Sequence, residues 1–175
     1  MANPPSWALA LVYWLHLLAA VTWAGGIASI SLLVLPAMKR SVKAEDQLAF
    51  LNGMHTRLEP FAWFCLAVLI ATGLFQMSVN PHYNGFLDIS TQWSLAILAK
   101  YVLVAAMVVV TAIQTWEVLP AVRRTLTRRE KIGEGAGAEI EEQLRVLQRR
   151  EEKLLRLNFL LAILILGVTA IARAA

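Results

Sequence analysis

Four long apolar blocks constrain the fold of this chain more than any other feature of its sequence. The first block, residues 7–38, contains no Asp, Glu, Lys or Arg, and a helix needs about 20 apolar residues to cross a bilayer. The 175 residues are 58% hydrophobic and 16% charged, whereas soluble domains carry about 25% charged residues. The sequence therefore predicts an integral membrane protein.

Turn signals and charges divide the chain into four predicted spans within a single membrane domain, residues 1–175. The spans cover about residues 7–36, 60–79, 93–118 and 157–172. Pro36 is expected to end the first span, and Pro120 to end or kink the third. The Lys and Arg residues concentrate between spans one and two and between spans three and four. Since such loops face the cytoplasm, we expect a bacterial inner-membrane protein with both termini outside.

Residues 121–156 form a predicted cytoplasmic helical extension. Apolar residues recur there at helical spacing, at Ile140, Leu144, Leu147 and Leu154, with Glu151 interrupting the pattern. The fold class is therefore all-α integral membrane, a four-transmembrane-helix bundle with a cytoplasmic helical hairpin between helices 3 and 4. The apolar face either packs on the preceding Arg-rich helix or docks a partner. The basic residues lie beside membrane spans, where contact with anionic lipid explains them and nucleic acid is excluded.

His16 is the main candidate functional residue, because an ionisable side chain inside a membrane span is costly and usually functional. Counting residues from the outer ends of the spans places Lys100, Thr72 and Gly73 at the depth of His16. Trp23 shares the helical face of His16. Taken alone, the imidazole fits a haem ligand, a copper ligand, a proton relay or a hydrogen bond to another helix.

Lys100 is the second candidate. Its ammonium costs a few kcal/mol at this depth, and the outer halves of the predicted spans contain no Asp or Glu. The side chain either pairs with an anion on a bound molecule, such as a haem propionate, or snorkels to the surface. Met107 offers a thioether that either ligates or packs. The chain has no CxxC and no HxxxH motif, so the residues themselves support a copper site weakly.

The first helix resembles known families. His16, Trp23 and the pair Gly25-Gly26 resemble the first helix of the copper resistance protein D (CopD) family and that of HemJ-type protoporphyrinogen oxidases. Residues 54–58, Met-His-Thr-Arg-Leu, and the later Gly73 resemble the second helix of HemJ-type proteins. Lys100 corresponds to a lysine in both families. The HemJ resemblance implies haem b bound through His16 and a functionally required Lys100; the CopD resemblance implies copper.

These observations together predict a haem b-binding membrane protein that acts in electron transfer or redox chemistry near the outer face, as a haem-dependent oxidoreductase if it is an enzyme. The expected metal ligand is His16, and Lys100 is the expected catalytic residue. The expected cofactor-binding residues are His16, Trp23, Gly73, Lys100 and Met107. One alternative is a CopD-type copper transport or resistance protein. Another is a non-catalytic membrane subunit that docks a partner through its hairpin. Expected partners are the bilayer, haem, and a redox partner or a second copy of the chain.

Overall fold

The structure of the chain, a computed structural model, describes residues 5–81, 85, 89–132 and 138–174, without the side chains of residues 44, 45 and 174. All regular structure in these ranges is helical. The α-helices are α1 (Ser6–Ser29), α2 (Leu35–Ser41), α3 (Ala44–Ser78), α4 (Gln92–Ile113), α5 (Leu119–Ile132) and α6 (Ala138–Ala174), and two π-helical turns lie at Ile30–Val34 and Gln114–Val118.

Within the described ranges, four continuous helices are long and apolar enough to cross a membrane: Ser6–Ser41, Asp46–Ser78, Gln92–Ile132 and Ala138–Arg173. This confirms the predicted fold class and makes the chain a multi-pass membrane protein. Many large apolar side chains point outward, Val21 and Leu33 among them, as expected where lipid covers the surface. The 37 residues of α6 span about 55 Å at 1.5 Å per residue. That exceeds the hydrocarbon thickness of about 30 Å, so the charged half of α6 extends beyond the hydrocarbon.

The first long helix does not end at Pro36 but continues through it to Ser41, and the inner end of the membrane span at Pro36 stays a prediction. Pro36 is the second residue of α2 and follows the π-helical turn Ile30–Val34. Pro120 likewise is the second residue of α5 and follows the turn Gln114–Val118. A proline ring clashes with the preceding helical turn and lacks an N–H donor. In both places the wider π-helical turn accommodates the ring and lets the helix continue.

The bundle consists of two closely packed helix pairs, α1 with α3 and α4 with α6. A buried cluster at mid-membrane joins the two pairs. Its members are Ala19, Trp23, Cys65, Leu66, Met107, Val110, Leu161 and Ala162. Cys65 is a free thiol inside this cluster, where it packs as a small apolar residue.

The hairpin formed by α5 and the first half of α6 has its own apolar core. Ile140 and Leu144, predicted to lie on the apolar face, are buried there. They pack with Leu48, Val118 and Val122. Glu141 also forms an ion pair with Arg129 of α5, at 3.1 Å. The apolar face of this amphipathic helix is therefore covered within the chain.

Candidate functional site

His16 contacts α3 through a hydrogen bond that fixes its tautomer. Its Nδ1 atom lies 2.7 Å from Oγ1 of Thr72. The Thr72 hydroxyl donates its own hydrogen to the carbonyl oxygen of Val68 one turn earlier, so Oγ1 accepts from His16. The imidazole therefore carries its proton on Nδ1, and Nε2 keeps a free lone pair.

The α3 backbone approaches the same imidazole at Gly73. A Cβ atom built on Gly73 would stand 3.5 Å from Cε1 of His16, which is ordinary van der Waals contact. One turn further along α3 lie the amide of Gln76 and the buried thioether of Met77. The Nε2 atom of Gln76 is buried without a hydrogen-bond partner. His16, Thr72 and Gly73 thus come together as the sequence predicted, and α3 adds polar and sulfur groups next to them.

Lys100 of α4 belongs to the same end of the bundle. Its charge acts on His16 and is in turn within electrostatic range of Arg173. The Arg173 guanidinium lies 5.7 Å from the centre of the Tyr13 ring. Among the described residues, no carboxylate pairs with Lys100. Three basic side chains therefore gather at this end of the bundle.

Trp23 and Met107 lie in the buried mid-membrane cluster. Trp23 is two helical turns from His16, and Met107 is almost fully buried among apolar side chains. A Cβ atom on Gly167, which residue counting placed at the depth of His16, would have no neighbour within 4 Å. The structure therefore brings Thr72, Gly73 and Lys100 to His16, and packs Trp23 and Met107 one layer further in.

A second polar region, which the sequence predictions missed, lies on the other side of this cluster. A cavity of about 150 Å³ is lined there by Trp23, Gly26, His55, Thr111, Gln114 and Asn158, among others. The Asn158 amide donates to Oγ1 of Thr111 at 3.3 Å. Gln114 Nε2 and Asn158 Oδ1 are buried without partners. The sequence does contain a signal for part of this region, because Thr111 and Gln114 are polar residues at helical spacing within the apolar third span.

The chemical capacity of the site by His16 is limited by its ligand set. In the described part of the chain, no group of three or more His, Cys, Asp or Glu side chains could hold a metal ion. The site therefore offers the neutral imidazole of His16 with a free Nε2 atom, the thioether of Met77 one turn along α3, and the unpaired ammonium of Lys100. This arrangement can bind one metal centre through a single histidine, or attract an anionic group to Lys100.

The four long helices and the half-buried His16 define the chain as a polytopic membrane protein with a candidate metal site. The family model described as copper resistance protein D matches residues 52–172. The match covers more than half of the chain, and the chain therefore belongs to the copper resistance protein D family. No curated protein and no solved structure matches it.

The family match includes some of the candidate residues and not others. Gly73, Lys100 and Met107 lie inside the matched range, whereas His16 and Trp23 precede it. Membership of the CopD family confirms that part of the resemblance seen in the sequence. The resemblance to HemJ-type oxidases stays a prediction, as do the roles of the individual site residues.

Proposed function

We propose that this chain is a copper-handling membrane protein and that Nε2 of His16 binds the metal. The observation that carries the proposal is the hydrogen bond from His16 Nδ1 to Thr72. Metal-binding histidines usually donate their second ring N–H to a neighbouring group, which fixes the ring and leaves the other nitrogen for the metal. Family membership supports copper as the substrate.

Met77 is the second proposed ligand. Its thioether is buried, accepts a hydrogen bond from the Tyr101 hydroxyl that copper would replace, and stands one turn along α3 from Gly73, where an added Cβ would meet the His16 ring. Imidazole and thioether groups both suit copper, and soft sulfur favours Cu(I). With so few ligands, copper is held for passage rather than stored.

The proposed location is the bacterial inner membrane, with both termini outside. The Lys and Arg residues between the first and second and between the third and fourth long helices support this orientation. His16 lies nearer to the start of the first long helix than to its charged end. In this orientation the metal site lies in the outer half of the membrane and accepts copper from that side.

A second candidate function, haem b binding for electron transfer, is favoured by Lys100. This ammonium lies near His16 without a carboxylate partner in the described ranges, and a haem propionate would supply the missing anion. His16 would then be the axial ligand through the same Nε2 atom.

The experiment that separates the two functions is a metal and optical analysis of the wild-type protein. The full chain is purified in detergent from cells supplied with copper and with a haem precursor. Copper near one atom per chain without a Soret band supports the copper proposal. A Soret band that shifts on reduction supports haem, and protein that binds neither metal rejects both.

Replacing Thr72 with valine should weaken metal binding, because the His16 ring loses the acceptor that fixes its tautomer. Loss of such a supporting hydrogen bond typically costs about 10- to 100-fold in metal affinity. Affinity is measured by competition with a calibrated chelator. Thr72→Ser keeps the hydroxyl and should bind like the wild type; equal affinity of the valine and serine variants would contradict the role of Thr72.

A further inference from the structure

Glu151 is a fully buried carboxyl group that the proposed metal site does not use. Its side chain has 0% exposure, although it lies in the charged half of α6. Burying an ionised carboxylate without a cation costs several kcal/mol, and the group is then more stable with its proton bound. Glu151 interrupts the apolar pattern of its helix in the sequence, so apolar packing does not explain a glutamate at this position.

Several basic groups of the charged end of the bundle pair with carboxylates other than Glu151. The ion pairs are Lys39 and Arg156 with Glu152, Arg123 with Glu59, and Arg150 with Glu117. These pairs come from every long helix that packs at this end of the bundle. In the described part of the chain, the ionisable group that contacts Glu151 is His55 of α3.

His55 lies within hydrogen-bond distance of Glu151. Its Nε2 atom is 3.1 Å from Oε1 of Glu151, and neither atom has an aligned hydrogen-bond partner in the described structure. A protonated carboxyl group can turn its O–H toward this nitrogen, since Nε2 of a neutral imidazole accepts a hydrogen bond. The contact therefore joins a proton donor to a proton acceptor inside the protein.

On its other side, His55 borders the cavity that extends toward Gln114 and Asn158. The unpartnered Gln114 Nε2 and Asn158 Oδ1 atoms are a donor and an acceptor respectively. Buried polar atoms of this kind are usually satisfied by ordered water, and one water requires about 10–15 Å³ of cavity space. The cavity, at about 150 Å³, therefore has room for several water molecules between His55 and the mid-membrane cluster.

We propose that Glu151 and His55 form a proton-exchange site connected to this water-filled cavity. The carboxyl group of Glu151 gives its proton to Nε2 of His55; the O–H bond breaks and an N–H bond forms. The resulting imidazolium gives a proton to a cavity water and returns to its neutral form, and the Glu151 carboxylate then takes up a new proton from the charged end of the bundle. The site moves protons between the charged end of the bundle and the membrane interior, whichever metal His16 binds.

Infrared difference spectroscopy of the full chain in lipid nanodiscs tests the proposal. At neutral pH the wild type should show the carbonyl band of a protonated carboxylic acid, and this band should disappear as the pH rises. Glu151→Gln should remove the band. Glu142→Gln, on the exposed side of the same helix, is the matched control and should keep the band, because this carboxylate is exposed and pairs with Arg145 at 3.5 Å.

The role of His55 is tested by hydrogen–deuterium exchange at Glu151. The measurement is the rate at which the carboxyl band shifts after transfer of the protein to heavy water. His55→Gln should keep the band and slow its shift at least tenfold. Glu151→Asp retains a carboxyl group and should move the band, which assigns it even if the glutamine variant does not fold. A band unchanged in both Glu151 variants would overturn the proposal, and so would unchanged exchange in His55→Gln.

Discussion

Replacing His16 with alanine should abolish metal binding by the purified protein, whether the metal is copper or haem iron. In the described structure, the His16 imidazole is half-buried, and its Nε2 atom is unpaired because Nδ1 makes the hydrogen bond to Thr72. Without His16, the thioether of Met77 is a single weak ligand, and its affinity is too low to retain a metal during dialysis. The measurement is metal content per chain after extensive dialysis, together with the absorption spectrum.

His55→Gln is the matched control, because it removes a histidine that lies at the other end of the bundle. This variant should retain the metal, and circular dichroism should show that both variants keep their helices. Metal bound equally by the wild type and by His16→Ala would show that the ligand is elsewhere. If His55→Gln loses the metal and His16→Ala keeps it, the metal site lies in the cavity that His55 lines.

Much of the His16 site was predictable from the sequence, because a helix rises by a fixed 1.5 Å per residue. Counting inward from the span ends placed Thr72 and Gly73 at the depth of His16, and the structure brings both against its ring. The helical spacing of Ile140 and Leu144 correctly indicated a buried face. Gly167, counted to the same depth, has no neighbour within 4 Å of an added Cβ atom, because depth alone does not tell which face a residue presents to its neighbours.

The site of His55 and Glu151 was not predictable in the same way. His55 precedes the predicted start of the second span at about residue 60, yet α3 begins at Ala44 and holds His55 inside the bundle. The π-helical turn that carries Gln114 depends on how the chain accommodates Pro120. The pairing of α1 with α3 and of α4 with α6 follows from side-chain packing between helices. Hydrophobic periodicity within one helix does not encode that pairing.

The mid-membrane cluster separates the two sites and should dominate the stability of the bundle. Leu66→Ala removes a side chain that is 2% exposed inside this cluster. In a membrane the driving force is packing rather than transfer from water, so we expect the lower end of the usual cost of a buried leucine truncation, about 2 kcal/mol. Unfolding of the full chain in mixed micelles by increasing denaturing detergent gives this free energy.

Leu74→Ala provides the control on the same helix, since this leucine is 40% exposed on a surface that lipid covers. Acyl chains fill the space of the deleted methyl groups and leave no cavity, so the change should stay within about 0.5 kcal/mol. Comparable losses from the two variants would mean that the central layer is not packed as described. A large loss confined to Leu66→Ala, with unchanged metal affinity in the folded protein, would show that this cluster stabilises the bundle independently of the His16 site.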